Sequence, residues 1–222
     1  MIPQRTSSVK KLIYLTLSSL ILFVIMYLMT NNSNNMAFHI FMKDNFGMTN
    51  KWSTSYGPKL FVDICRNVSA LGGHIDFILI VGFVSSFLFF LRERKIFFEF
   101  LITIGGAIII LFILKFTMND SSPDYFFNIF ISDGLGFPSG HALISLVLYT
   151  SLAKYSGRRL IYTKARYVVY VFAAILITLI GLSRLFTSHT LTEVVAGWSA
   201  GLFWLSIVNY IFRKNGARWK RI

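Results

Sequence analysis

Residues Leu12 to Thr30 read LIYLTLSSLILFVIMYLMT, an apolar run without one charge. A hydrocarbon layer takes about 17–25 such residues to cross as a helix. Lipid offers no water to the backbone, so every N–H and C=O in such a run must be satisfied within a helix or a closed barrel. Comparable runs recur at about His74 to Leu91, Ile96 to Leu114, Tyr167 to Ser183 and Thr192 to Phe212. A shorter one, Gly140 to Ala153, completes the set if the preceding loop dips inward. The pattern predicts an all-α, polytopic membrane bundle of six transmembrane helices, one domain over residues 1–222. Composition agrees, with 55% hydrophobic residues against 14% charged. No Ala-x-Ala-like cleavage site follows the first run, which is therefore read as a retained span.

The formal charge is +13, from 22 Lys and Arg against nine Asp and Glu. If six spans start inside, 16 of the 22 basic residues fall on inner segments and six on outer ones. Basic residues gather on the cytoplasmic side of membrane proteins. Both termini are therefore expected in the cytoplasm, with the charge excess a topology signal and anionic-lipid attraction a modest addition. Nucleic acid is not an expected partner. The single cysteine, Cys65, rules out an internal disulfide and a cysteine metal cluster, and reads as a packing residue. Glu99 lies near one end of the third run, where it can reach the interface.

Residues 31–73 then form an extracytoplasmic region. NNSNN marks its start as a loop, and Met36 to Phe46 can form a helix. Leu60, Phe61, Ile64, Val68 and Leu71 recur at helical spacing, which predicts a short amphipathic helix on the membrane surface. The second outer region is 115–140. This arrangement brings six polar side chains to one membrane face: Lys115, Ser139, His141, Arg184, His189 and Glu193.

Each of these residues, taken singly, reads as a helix cap or a headgroup anchor. Together they describe an electropositive pocket beside lipid headgroups. In Pro138-Ser139-Gly140-His141 the proline suits a first helical turn and the glycine lets an anion approach the backbone. The N–H groups of a helix start favour phosphate, and histidine can pass a proton. In SRLFTSHTLTE, Ser183 to Glu193, Arg184 is a planar donor for phosphate oxygens. His189 and Glu193 are four apart, so a carboxylate can hold one imidazole nitrogen and free the other to attack. Thr190 to Glu193 is equally a capping box.

These motifs resemble the type 2 phosphatidic acid phosphatase superfamily of integral-membrane lipid phosphatases. That family's signature is Lys, six residues, Arg-Pro; then Pro-Ser-Gly-His; then Ser-Arg, five residues, His, three residues, Asp. The matching parts are KFTMNDSSP (Lys115 to Pro123), PSGH and SRLFTSHTLTE, with AGWSAG (Ala196 to Gly201) similar to the last span. The resemblance covers about 74–212. Three positions depart from it. Ser122 stands where the family has arginine, the Arg184-to-His189 gap is four residues, and Glu193 replaces aspartate. The gap is expected to fall in a loop that can adjust.

The resemblance implies that His189 attacks phosphorus, Glu193 orients it, and His141 protonates the leaving oxygen and then activates water. It implies that Lys115, Ser139, Gly140 and Arg184 bind the phosphoryl oxygens, with no metal or other cofactor. The implied protein is a lipid phosphatase of a bacterial cytoplasmic (inner) membrane, its site facing the periplasm or outside, with no obligatory protein partner. The implied substrates are polyprenyl diphosphate, phosphatidylglycerol phosphate, phosphatidate or a lipid A phosphate. A lipid phosphotransferase on the same site and a non-catalytic lipid-binding relative remain open, the second favoured by Ser122.

Overall fold

The computed structural model describes residues 3–30, 32–49, 55–118, 136–187 and 189–216. They form an all-α bundle: α1 (Pro3–Met29), α2 (Asn32–Phe46), α3 (Lys59–Ala70), α4 (His74–Phe90), α5 (Arg94–Met118), α6 (Gly140–Arg159), α7 (Thr163–Thr187) and α8 (Leu191–Gly216). Five stretches are long and apolar enough to cross a membrane: Val9–Met29, Lys59–Phe90, Arg94–Met118, Thr163–Thr187 and Leu191–Arg213. The chain is a multi-pass membrane protein.

The sixth expected span, α6, falls outside that set although its 20 residues give about 30 Å of helix. Its place in the bundle explains why. α6 packs against α5, α7 and α8, and 13 of its 20 residues are buried, serines and tyrosines among them. A helix sheathed by other helices meets protein and needs no lipid-soluble surface. The outer helices show the opposite pattern. Leu28, Phe83, Phe90 and Phe172 are among many large apolar side chains left exposed on α1, α4 and α7, as a lipid-facing belt requires.

α8 runs beside α6 at close range. A Cβ at Gly197 would collide with Ser139 O, and one at Gly201 would come within 3.0 Å of Leu146 Cδ2 and 3.2 Å of Leu143 O. Two glycines four apart thus form the flat stripe that lets membrane helices approach. α1 also packs along α8, where Thr16 Oγ1 and Ser206 Oγ share a hydrogen bond of 2.8 Å.

Two local expectations need correction. NNSNN is not all loop: Asn32 to Asn35 open α2, as Asn and Ser favour a helix start. Glu99 lies near the start of α5. It is buried, and Lys154 Nζ of α6 lies 2.6 Å from its Oε1. The Arg184-to-His189 gap is not an adjustable loop, because Leu185 to Thr187 complete the last turn of α7. The region before residue 74 does more than rest on a surface. α3 turns Val62, Cys65 and Ser69 inward, packs on α7 and leaves Leu60, Phe61 and Ile64 exposed. Cys65 is a buried packing residue.

Candidate active site

The site forms where α5 ends and where α6 and α8 begin. Lys115 stands in the last turn of α5 and is 2% exposed. Ser139 holds the N-cap position of α6 without a side-chain capping bond, so Pro138 sits before the helix and not in its first turn. Gly140 brings the two elements together: a Cβ there would stand 3.3 Å from Leu111 Cδ2 and 3.8 Å from Lys115 Cε. The Ser139 N–H donates to Glu193 O at 3.0 Å, which staples the α6 start to the α8 start. Phe137 anchors the approach to this turn by packing its ring against Phe23 and Tyr27 of α1.

The α7–α8 connection supplies the rest. The His189 N–H donates to Arg184 O at 3.0 Å, a five-residue reach that closes a helix C-terminus. α8 starts at Leu191, so His189 precedes the helix and does not share a face with Glu193. They meet through the cap. Glu193 Oε2 accepts from His189 Nδ1 at 2.8 Å and from the Thr190 N–H at 3.1 Å. The capping box and the oriented imidazole are one arrangement. A carboxylate only accepts, so Nδ1 carries the proton and Nε2 keeps its lone pair. Nε2 is buried and has no hydrogen-bond partner, and the same holds for Ser139 Oγ. Buried polar atoms are nearly always paired in folded proteins. Two lone ones in a row of phosphate-binding residue types mark a place for a ligand.

Burial, the largest influence, pushes His189 below the ordinary histidine range; the Glu193 hydrogen bond opposes this, while the Arg184 and Lys115 fields reinforce it. Its imidazole is therefore neutral at neutral pH and able to act as a nucleophile. Arg184 is 2% exposed and its Nη1 donates to Ser69 Oγ at 3.1 Å. Among the described residues two buried cations, Lys115 and Arg184, stand near one carboxylate, Glu193, a setting that favours an anion. His141 is nearly buried in the first turn of α6, where its carbonyl lies against Gly72.

The described structure thus gathers Lys115, Ser139, Gly140, His141, Arg184, His189 and Glu193 at one end of the bundle. Ser122 lies outside the described residues. Ser69 escaped the sequence reading, because a serine on an amphipathic helix gives no signal of its partner 115 residues away. The outer region also clamps the segment between Arg184 and His189. Phe46 and Phe61 meet the Phe186 ring edge to face, and Tyr56 N–H donates to Phe186 O at 3.0 Å. Among the described residues no group of three His, Cys, Asp or Glu comes together that could hold a metal ion.

Comparison with known proteins places this geometry. Phosphatidylglycerophosphatase B of Bacillus subtilis (strain 168) is 24% identical over 148 residues, 66% of this chain and 72% of that protein. The crystal structure of the first transmembrane PAP2 type phosphatidylglycerolphosphate phosphatase from Bacillus subtilis has the same fold. Its TM-score is 0.70 over 90% of this chain and 97% of that one, at 21% identity. The PAP2 superfamily itself matches residues 96–217, which hold every candidate site residue. The chain therefore belongs to the PAP2 superfamily, the membrane lipid phosphatases of the phosphatidic acid phosphatase type.

Proposed function

We propose that this protein hydrolyses a phosphate monoester or diphosphate of a membrane lipid through a phospho-histidine, with phosphatidylglycerol phosphate the first substrate to test. The observation that carries the reading is the buried His189: Nδ1 held by Glu193, Nε2 unpartnered, Lys115 and Arg184 within reach of its field. The substrate follows the activity for which the Bacillus subtilis relatives are named.

In the proposed reaction the Nε2 lone pair forms a P–N bond as the P–O bond to the lipid breaks. His141 gives its proton to the leaving oxygen. It then takes a proton from water, whose oxygen attacks phosphorus, and the P–N bond breaks to free His189 and phosphate. Lys115, Arg184, the Ser139 hydroxyl and the N–H of Gly140 stabilise the equatorial oxygens. These cations do the charge neutralisation, so a chelator is expected to leave the rate unchanged. On the six-span topology the pocket opens to the extracytoplasmic leaflet.

The test is phosphate release by the detergent-purified chain from phosphatidylglycerol phosphate, phosphatidate, a polyprenyl diphosphate and a lipid A phosphate, with a chelator present. His189→Ala and His141→Ala are measured beside it. The reading expects release by the wild type and a loss of at least about 10³-fold in His189→Ala. A wild type as inert as both variants on every substrate overturns it. Label transfer to an added lipid alcohol in place of water would reassign the chain as a phosphotransferase.

A further inference from the structure

The turn that ends α3 lies along α6 at the candidate site. Its backbone closes tightly. The Leu71 N–H donates to Val68 O at 3.3 Å, the Gly72 N–H to Ser69 O at 2.9 Å and the Gly73 N–H to Ala70 O at 2.6 Å. Bonds of this short reach tighten the end of a helix. The last carbonyls of a helix still need partners from outside it. Leu71 O finds one on α6, accepting from the Tyr149 hydroxyl at 2.8 Å.

Gly72 makes the second contact. A Cβ there would stand 3.3 Å from His141 O, 3.5 Å from Ser145 Cβ and 3.1 Å from Ile180 Cγ2 of α7. Two of these approaches are closer than ordinary van der Waals contact, so a side chain would press the turn away from α6 and α7. His141, Ser145 and Tyr149 recur every four residues and form one ridge of α6. The turn rests on that whole ridge, and Ser145, Tyr149 and Ile180 are all buried beneath it. Three residues before Gly72, Ser69 accepts from Arg184 Nη1 of α7. One turn, Ser69 to Gly72, thus touches the helix that carries His141 and the helix that carries Arg184.

We infer that Gly72 and Tyr149 are positioning residues for His141: through the α3 turn they fix the stretch of α6 from which its imidazole projects. The inference rests on the proposed function, in which His141 gives a proton to the leaving oxygen while Arg184 holds the phosphoryl group. Such a proton crosses a hydrogen-bond distance of about 2.6–3.2 Å. Misplacing the donor by about 1 Å can cost about 10²-fold. A wedge between α6 and α7 at this depth sets that distance.

The test compares kcat/KM, which covers the steps up to release of the leaving group, on two substrates. One is the lipid phosphate that the wild type cleaves fastest, whose alkoxide must be protonated to leave. The other is 4-nitrophenyl phosphate, whose phenolate leaves without a proton. His141→Ala is the reference, expected to lose at least about 10²-fold on the lipid and far less on the aryl ester. Tyr149→Phe and Gly72→Ala should show the same split, a loss of about tenfold on the lipid and under about twofold on the aryl ester. Tyr149→Phe keeps the ring and carries the test should Gly72→Ala not fold. Should the wild type cleave the aryl ester too slowly, Tyr149→Phe is added to His141→Ala on the lipid, where no further loss is expected. A split in His141→Ala that neither variant shares, equal losses on both substrates, or a further tenfold loss in the double variant overturns the inference and leaves the proposed function standing. A His141→Ala without a split overturns the acid role itself, and the inference with it.

Discussion

Glu193 uses one carboxylate oxygen for two purposes, capping α8 through the Thr190 N–H and holding His189 Nδ1. Glutamine keeps the size and can still accept, but it lacks the charge that stabilises an imidazolium-like transition state. Glu193→Gln is expected to lower kcat about 10²-fold with a smaller change in KM, as steady-state phosphate release would show. The pH dependence follows from His189. In the proposed reaction its neutral form is the nucleophile, and burial holds its pKa below the ordinary value. Activity should then survive acidification through about 6.5 and fall only below it. Glu193 raises that pKa, so Glu193→Gln should move the acid limb of kcat/KM further down. A limb at or above 6.5 in the wild type would assign the titration to another group. Ser69→Ala removes the hydroxyl that accepts from Arg184 Nη1. Loss of that hydrogen bond from the buried guanidinium is expected to cost kcat/KM about tenfold, with the unfolding midpoint little changed.

At the scale of elements, the sequence exposes what touches lipid and hides what touches protein. The apolar runs of α1, α5, α7 and α8 were readable because lipid imposes one rule on every outward position. α6 obeys no such rule. Its residues answer to neighbours on three sides, so Gly140 to Ala153 looked too short while the helix continues to Arg159. The ion pair of Glu99 was hidden for the same reason, since its partner lies 55 residues away on α6. The candidate site was legible because phosphate chemistry restricts it to a few residue types in short motifs. Its support by Ser69, Gly72 and Phe186 was not, because contacts between distant helices leave no local pattern. The helix spacing itself is testable. A Cβ at Gly197 would strike Ser139 O, whereas one at Gly105 on α5 meets nothing within 4 Å. Gly197→Ala should destabilise the protein by about 1–3 kcal/mol and depress activity, since it pushes α8 from the start of α6. Gly105→Ala should be neutral or stabilising. Thermal unfolding in one detergent, with phosphate release on the same samples, separates the two.

For the whole molecule, the question is how the bundle sits in the bilayer. α6 carries His141 at one end and Lys154 at the other, so it runs from the candidate site to the Lys154–Glu99 ion pair. If α6 spans, as its length allows, its two ends face opposite leaflets. On the topology proposed from the distribution of Lys and Arg, the Lys154 end is cytoplasmic and His189 lies outside. Asn45 near the end of α2 and Ile161 between α6 and α7 are both exposed and belong to opposite sides on this topology. Cys65 is the single cysteine and is buried, so Cys65→Ser provides a thiol-free background. In intact cells a membrane-impermeant maleimide should label Asn45→Cys and spare Ile161→Cys. Permeabilised cells should label both. Labelling of Asn45→Cys and Ile161→Cys alike in intact cells would mean that α6 re-enters without crossing. Both of its ends would then share a leaflet and the six-span reading would fall.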